Sequence, residues 1–281
     1  MNERTLVAAY LQQQMEVSVT DIVFSAKFDK SALRKAQAIA QVKTEEKTKA
    51  TTGKSSPDIS SKLSKLKPID QLDPYLKVQD KTTDDKSVDN KDYEKKRSEL
   101  AVLFRKGCNA CHLSSKRINF VFGSGNAAAP ILIIGEAPGE DEDNQGKPFV
   151  GLAGQLLTKM LSAIELDRNK DTFITNVLKC RPPQNRNPES SEIISCKPIL
   201  EAQISTIKPR VILLLGRIAA HTVLNKSDSI AKLRLEMHDY NGIPVIVTYH
   251  PAALLRYPEY KKAAWEDLQK LQKLLMTIGE K

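Results

Sequence analysis

Ile131-Leu132-Ile133-Ile134-Gly135-Glu136-Ala137-Pro138-Gly139 is the stretch on which the fold turns. An unbroken apolar run leads straight into a turn built from glycine, an acid and proline. A run with no polar alternation reads as a strand buried on both faces. Three more such runs follow, at Thr172–Val177, Val211–Leu215 and Pro244–Thr248. Helical spacing fills the intervals: Glu94–Phe104 lies before the first run, and Leu152–Ile164, Glu189–Ile207, Arg217–Leu224 and Glu259–Met276 come after it. This alternation predicts an α/β fold of three layers, α/β/α, around a central, mostly parallel four-stranded sheet. Ligands of such sheets bind beyond the carboxyl ends of the strands, so any chemistry should follow a strand directly.

The rest of the chain reads differently. Residues 5–24 carry an irregular apolar stripe (Leu6, Tyr10, Leu11, Met15, Val17), which suits a short helix within a leader at 1–25. From 26 to 92 Lys, Thr, Ser, Asp and Gln dominate, and the segment has too little apolar surface to offset its chain entropy. It is expected to be a disordered, Lys-rich linker, with the folded domain at 93–281. The 281 residues carry a formal charge of +9, which suits a polyanionic partner, nucleic acid above all. Much of that lysine lies in the linker, so the charge alone is weak support. No apolar run approaches the roughly 20 residues needed to span a bilayer, and the start lacks the pattern of an export signal. A monomeric cytoplasmic protein, free of the membrane, is the expectation.

The chain has four cysteines: Cys108 and Cys111 as C-x-x-C, then Cys180 and Cys196. In a reducing compartment four thiols seldom mean two disulfides. Converging thiolates could hold zinc or a [4Fe–4S] cluster, with ordinary buried thiols as the plain alternative. The second pair is not a C-x-x-C knuckle, and the cysteines thread through an α/β core rather than a small finger. Both features favour the cluster.

The segments after the strands carry the other candidates. Gly135-Glu136-Ala137-Pro138-Gly139-Glu140-Asp141-Glu142-Asp143 and Gly146-Lys147-Pro148-Phe149-Val150-Gly151 follow the first, Asn176 to Pro183 ends the second, and His250-Pro251-Ala252-Ala253-Leu254-Leu255-Arg256 follows the fourth. GEAPGEDED, GKPFVG, NVLKCRPP and HPAALLR, in this order and with these cysteines, closely resemble the iron–sulfur uracil-DNA glycosylases, family 4 of their superfamily, of the bacterial type. The resemblance spans about residues 95–278; the long Lys-rich insert departs from the compact members.

The resemblance implies an enzyme that hydrolyses the N-glycosidic bond of deoxyuridine in single- or double-stranded DNA, leaving an abasic site for base excision repair. It also implies a [4Fe–4S] cluster on Cys108, Cys111, Cys180 and Cys196. Phe149 would stack on the flipped base, in a pocket with Gly135 and Ala137. Asn176 would donate to uracil O4 and accept from N3–H, a pattern that cytosine reverses. His250 would bond uracil O2 as negative charge develops there. Related families carry an Asp at the position of Ala137, so that role falls to Glu136 or Glu142, unless these merely bond backbone amides. Leu254 would wedge into the stack, and Arg181 and Arg256 would meet phosphates. His112, His221 and His238 have no such context. Two other functions fit the same motifs less well. A non-catalytic iron–sulfur DNA-binding protein would not need Phe149, Asn176 and His250 together. A uracil-DNA binder that traps its product would carry a nucleophilic His after the second strand, and Arg181–Pro188 contains none.

Overall fold

The computed structural model describes residues 90–279. The leader at 1–25 and all but the end of the linker at 26–92 lie outside the described residues. Helix α1 (Asn90–Lys106) already opens inside the segment read as linker, where Asp92 pairs with Lys96 one turn on at 2.8 Å.

After α1 come β1 (Ser124–Gly125), β2 (Ile131–Gly135), α2 (Glu140–Gln145), α3 (Leu152–Ala163), β3 (Thr172–Asn176), α4 (Ser190–Ile207) and β4 (Val211–Leu215). Then follow α5 (Arg217–Leu224), α6 (Ile230–Leu233), β5 (His238–Tyr240), β6 (Ile243–Thr248), α7 (Pro251–Arg256) and α8 (Lys261–Gly279). The sheet has six strands in the order β1-β3-β2-β4-β6-β5. Its inner four are the predicted ones, all parallel; β1 and β5 are antiparallel edges. The edges escaped the sequence reading because Ser-Gly and His-Asp-Tyr are too short and polar to make an apolar run. Short polar edges also discourage pairing with other chains.

The absence of alternation in the inner strands now has its cause. Leu132, Ile134, Ile212, Leu214, Val245 and Val247 pack on one side, with Leu100 of α1, Leu200 and Ile204 of α4, and Ala219 and Ala220 of α5. Ile131, Ile133, Val211, Leu213 and Ile246 pack on the other, with Leu157 and Leu161 of α3, Leu254 of α7, and Leu268 and Leu271 of α8. Each such side chain contributes roughly 1.5–3 kcal/mol by leaving water. The result is the expected three-layer stack. Among the described residues no helix is long and apolar enough to cross a membrane.

The strand order places the site. The chain leaves β2 for β3 on one side, then crosses back to β4 on the other, which opens a crevice at the carboxyl ends of β2 and β4. Register brings Gly135 directly opposite Asn176 and Leu215 opposite Thr248, two residues before His250.

Candidate active site

Gly135 ends β2 with its α-carbon against two side chains. A Cβ there would press on Asn176 Oδ1 and stand 2.5 Å from Phe149 Cζ, so only a hydrogen fits. Phe149 arrives from the turn between α2 and α3 with a left-handed backbone, φ 54°. Such a conformation costs a β-carbon-bearing residue roughly 1–2 kcal/mol, so neighbours must hold it. Glu142 does so from one side. Its Oε1 accepts from the amides of Val150 (2.8 Å) and Gly151 (3.0 Å), and its Oε2 accepts from Gly139 (3.1 Å). Arg168 does so from the other, donating to the Pro148 carbonyl at 2.7 Å and to Thr158 Oγ1 at 3.0 Å. Glu142 therefore braces the turn, with three of its roughly four acceptor sites taken by backbone donors.

Asn176 is only 1% exposed, and its Oδ1 has no hydrogen-bond partner. Buried acceptors left unpaired are rare and costly, so this one marks a place where a donor is meant to arrive. His250 caps α7, its Nδ1 accepting from the Ala252 amide at 3.1 Å. That bond leaves the proton on Nε2. Desolvation, aided by Arg256, lowers the His250 pKa to about 4, so the ring is a neutral donor. Its centroid lies 5.4 Å from that of Phe149. Gly216, at φ 86°, makes room behind it: a Cβ there would stand 2.9 Å from the His250 Cβ. Glu136 lies half-buried next to Gly135; burial raises its pKa, against the lowering effect of Arg217 and Arg256.

The cysteines meet elsewhere. All four line one pocket with the residues that follow β3, and Leu113, Arg117, Phe120 and Lys179 are among its walls. Arg117 Nη1 donates to Cys180 Sγ at 3.1 Å, and the Lys179 amide donates to Cys196 Sγ at 3.3 Å. Burial pushes the Cys196 thiol up to about 11, against Lys179, so a thiolate there calls for further positive charge. The Lys179 side chain is itself fully buried, and its Nζ donates to the Asn176 carbonyl at 2.6 Å and to Thr175 Oγ1 at 2.7 Å. Among the described residues no group of three or more His, Cys, Asp and Glu side chains is arranged to hold a metal ion. Four thiols around one pocket, with N–H donors aimed at sulfur, fit a polynuclear cluster.

The family model of the uracil DNA glycosylase superfamily matches residues 122–269, which hold all six strands of the sheet. The chain belongs to the uracil-DNA glycosylase superfamily. It is 46% identical over 178 residues to the type-4 uracil-DNA glycosylase of Saccharolobus solfataricus, covering 60% of this chain and 82% of that one. Against the type-4 enzyme of Archaeoglobus fulgidus it is 43% identical over 175 residues, 59% of this chain and 87% of the other. The type-4 enzyme of Thermotoga maritima is 43% identical over 178 residues, 62% of this chain and 92% of its own.

In this superfamily member the structure brings Gly135, Glu136, Phe149, Asn176 and His250 together at one sheet edge. Ala137 follows them and packs partly against the core. Leu254 is not with them. It is 2% exposed, because α7 starts at its His250 cap and the helical period turns the residue one turn later back towards the core. Leu255, at 43% exposed, is the leucine of this segment that faces out. Arg181 bonds Asn185 Oδ1 at 2.8 Å and Glu140 at 3.3 Å, which closes the loop after β3 over the start of α2. Arg256 lies exposed on α7, its Nε on the Ala252 carbonyl. Sequence reasoning missed Gly216, Arg168 and Arg217. Gly216 had a signal, a glycine directly after an apolar strand; Arg168 had none, being remote in sequence from the turn it holds.

Proposed function

We propose that the chain excises uracil from DNA, hydrolysing the N-glycosidic bond of a flipped-out deoxyuridine and leaving an abasic site. The unpartnered, buried Asn176 Oδ1 carries this reading. Uracil N3–H is the donor it lacks, whereas cytosine presents a bare nitrogen at that atom. Phe149 supplies the flat face on which the base stacks, a contact worth roughly 1–3 kcal/mol.

The chemistry follows from the neutral His250. As the C1′–N1 bond breaks, its electron pair stays on the departing uracil and charge gathers at O2. The Nε2–H donor meets that charge in a dry pocket, a contribution of roughly 3–4 kcal/mol by analogy with oxyanion holes. Water completes the reaction by bonding to C1′ and giving up a proton, which balances the negative charge carried off by the uracil. Glu136 is the carboxylate left to hold that water and to face the positive sugar, since Glu142 is committed to the backbone. Exposed Arg217 and Arg256 flank this edge and suit phosphates.

Cys108, Cys111, Cys180 and Cys196 hold a [4Fe–4S] cluster in the same reading, supported by their shared pocket and the N–H donors on their sulfurs. Bound there, it supplies anchorage, tying the segment before the sheet to the loop Arg181–Ser195. From the other end Arg186 grips buried Glu192 at 2.6 and 2.9 Å, so that loop is pinned twice.

A single-turnover assay on a uracil-containing oligonucleotide, followed by alkaline cleavage, tests the activity: scission at uracil is expected, and an intact strand would refute it. Metal analysis after anaerobic purification should find about four irons per chain. Stoichiometric zinc instead would remove the cluster assignment.

A further inference from the structure

Three tyrosine rings run outward from the site. Tyr249, the neighbour of His250, stacks flat on Tyr260, with centroids 4.4 Å apart and planes within 2°. Tyr257 leans on Tyr260 at 5.8 Å and 53°. The ladder becomes more open as it leaves the pocket: Tyr249 is half-buried, Tyr260 is 36% exposed and Tyr257 is 50% exposed. A core would not build such a series, since aromatic rings contribute most when buried. Arg256 lies next to Tyr257 in the chain and Lys262 follows Tyr260 two residues on, both exposed. Tyr249 is backed by the core and by Arg234, 6.0 Å over its ring, so the exposed aromatic surface belongs to Tyr260 and Tyr257. Exposed rings beside cations match one chemical partner, a strand of nucleic acid whose bases are free to stack while its phosphates meet the charges.

We infer that Tyr260 and Tyr257, held in place by Tyr249 beneath them, form a stacking platform for the unpaired bases next to the flipped uracil, which makes single-stranded DNA the preferred substrate. The inference rests on the glycosylase reading and deepens it. The bases of a duplex already stack and pair with one another, so the open rings add little there. In a single strand the neighbours of uracil are free, and each base seated on a ring adds roughly 1–3 kcal/mol, or about five- to 150-fold in affinity.

The test uses the full-length chain and labelled oligonucleotides bearing 2′-fluorinated deoxyuridine, which resists hydrolysis, with binding read by fluorescence anisotropy. One oligonucleotide has ordinary bases beside the uracil; the other keeps the phosphates but has base-free sugars there. Removing the flanking bases should weaken binding by the parent about tenfold. The double variant Tyr257→Ala/Tyr260→Ala should bind the ordinary single strand about tenfold more weakly and no longer distinguish the two oligonucleotides. Tyr257→Phe/Tyr260→Phe should restore the distinction, because stacking needs the ring and not the hydroxyl. An alanine variant that still senses the flanking bases would overturn the inference, as would an equal loss on the matching duplex. Excision on an ordinary uracil strand is measured in parallel. A parent that binds with flank dependence but does not excise defeats the glycosylase reading and leaves the platform standing; a parent that excises, with binding indifferent to the rings, defeats the platform alone.

Discussion

Replacing Gly135 with alanine would add a single methyl group at the centre of the pocket. The backbone there is ordinary strand, so nothing opposes the change except the space. That space is full: the new carbon would press on Asn176 Oδ1 and lie 2.5 and 2.7 Å from two atoms of the Phe149 ring. Phe149 cannot simply swing away, because Glu142 and Arg168 fix the backbone on both sides of it. Overpacking of this kind destabilises a fold by roughly 1–3 kcal/mol. The larger effect falls on the substrate. If Asn176 shifts, the bond to uracil N3–H is lost, worth roughly 1–3 kcal/mol once its buried partner is left alone. If the ring shifts, stacking worth a similar roughly 1–3 kcal/mol goes with it. The two together predict a fall in single-turnover excision of at least about thirtyfold, with a lower thermal midpoint. Rapid-quench kinetics at saturating DNA and a thermal melt on the same sample measure both. Excision within threefold of the parent, at an unchanged midpoint, would show that Gly135 does not shape the pocket.

Four further outcomes follow. Asn176→Asp should lose most uracil excision and gain slow excision of mispaired cytosine at mildly acidic pH, since a protonated buried carboxyl donates to cytosine N3; uracil rates within a few-fold of the parent would remove Asn176 from base reading. His250 has its folded pKa near 4, below its ordinary 6.5, so the unfolded chain binds the extra proton between those values. Stability should therefore fall as pH drops from about 6.5 to about 4, and urea titrations of His250→Gln should show a shallower pH slope than the parent; identical slopes would mean that the ring is not held neutral. Arg168→Met leaves the Pro148 carbonyl without its donor and should cost roughly 1–3 kcal/mol in urea unfolding together with slower excision, whereas excision at the parent rate would relieve Arg168 of any role in the turn. Deleting residues 27–90 should leave excision of saturating DNA intact while flattening the salt dependence of binding, because that segment brings lysines and none of the site residues; loss of the chemical step would place part of the catalytic domain inside it.

The inner sheet was legible because strands buried on both faces must be apolar throughout, and Ile131–Ile134 and Val211–Leu215 state that in consecutive letters. The rule that ligands follow strand ends then pointed to the segments that hold Gly135, Asn176 and His250, and the family resemblance assigned those residues their roles before any geometry was known. What residues do in such segments is a matter of direction, and direction is set by contacts far apart in the chain. Glu136 and Glu142 look alike as letters. Only the folded turn shows that Glu142 faces three amides from two segments, while Glu136 lies half-buried within the influence of Arg217 and Arg256. Leu254 and Leu255 are adjacent leucines, yet the start of α7 at His250 turns one into the core and the other to solvent. The tyrosine ladder joins residues 249, 257 and 260 across a helix and a turn, a proximity that no local pattern encodes. Side-chain chemistry and hydrophobic period are properties of the chain, so the sequence determined the layers and the kinds of group available. Which group is buried, paired or left waiting for a ligand depends on long-range packing, and that was decided by the tertiary structure alone.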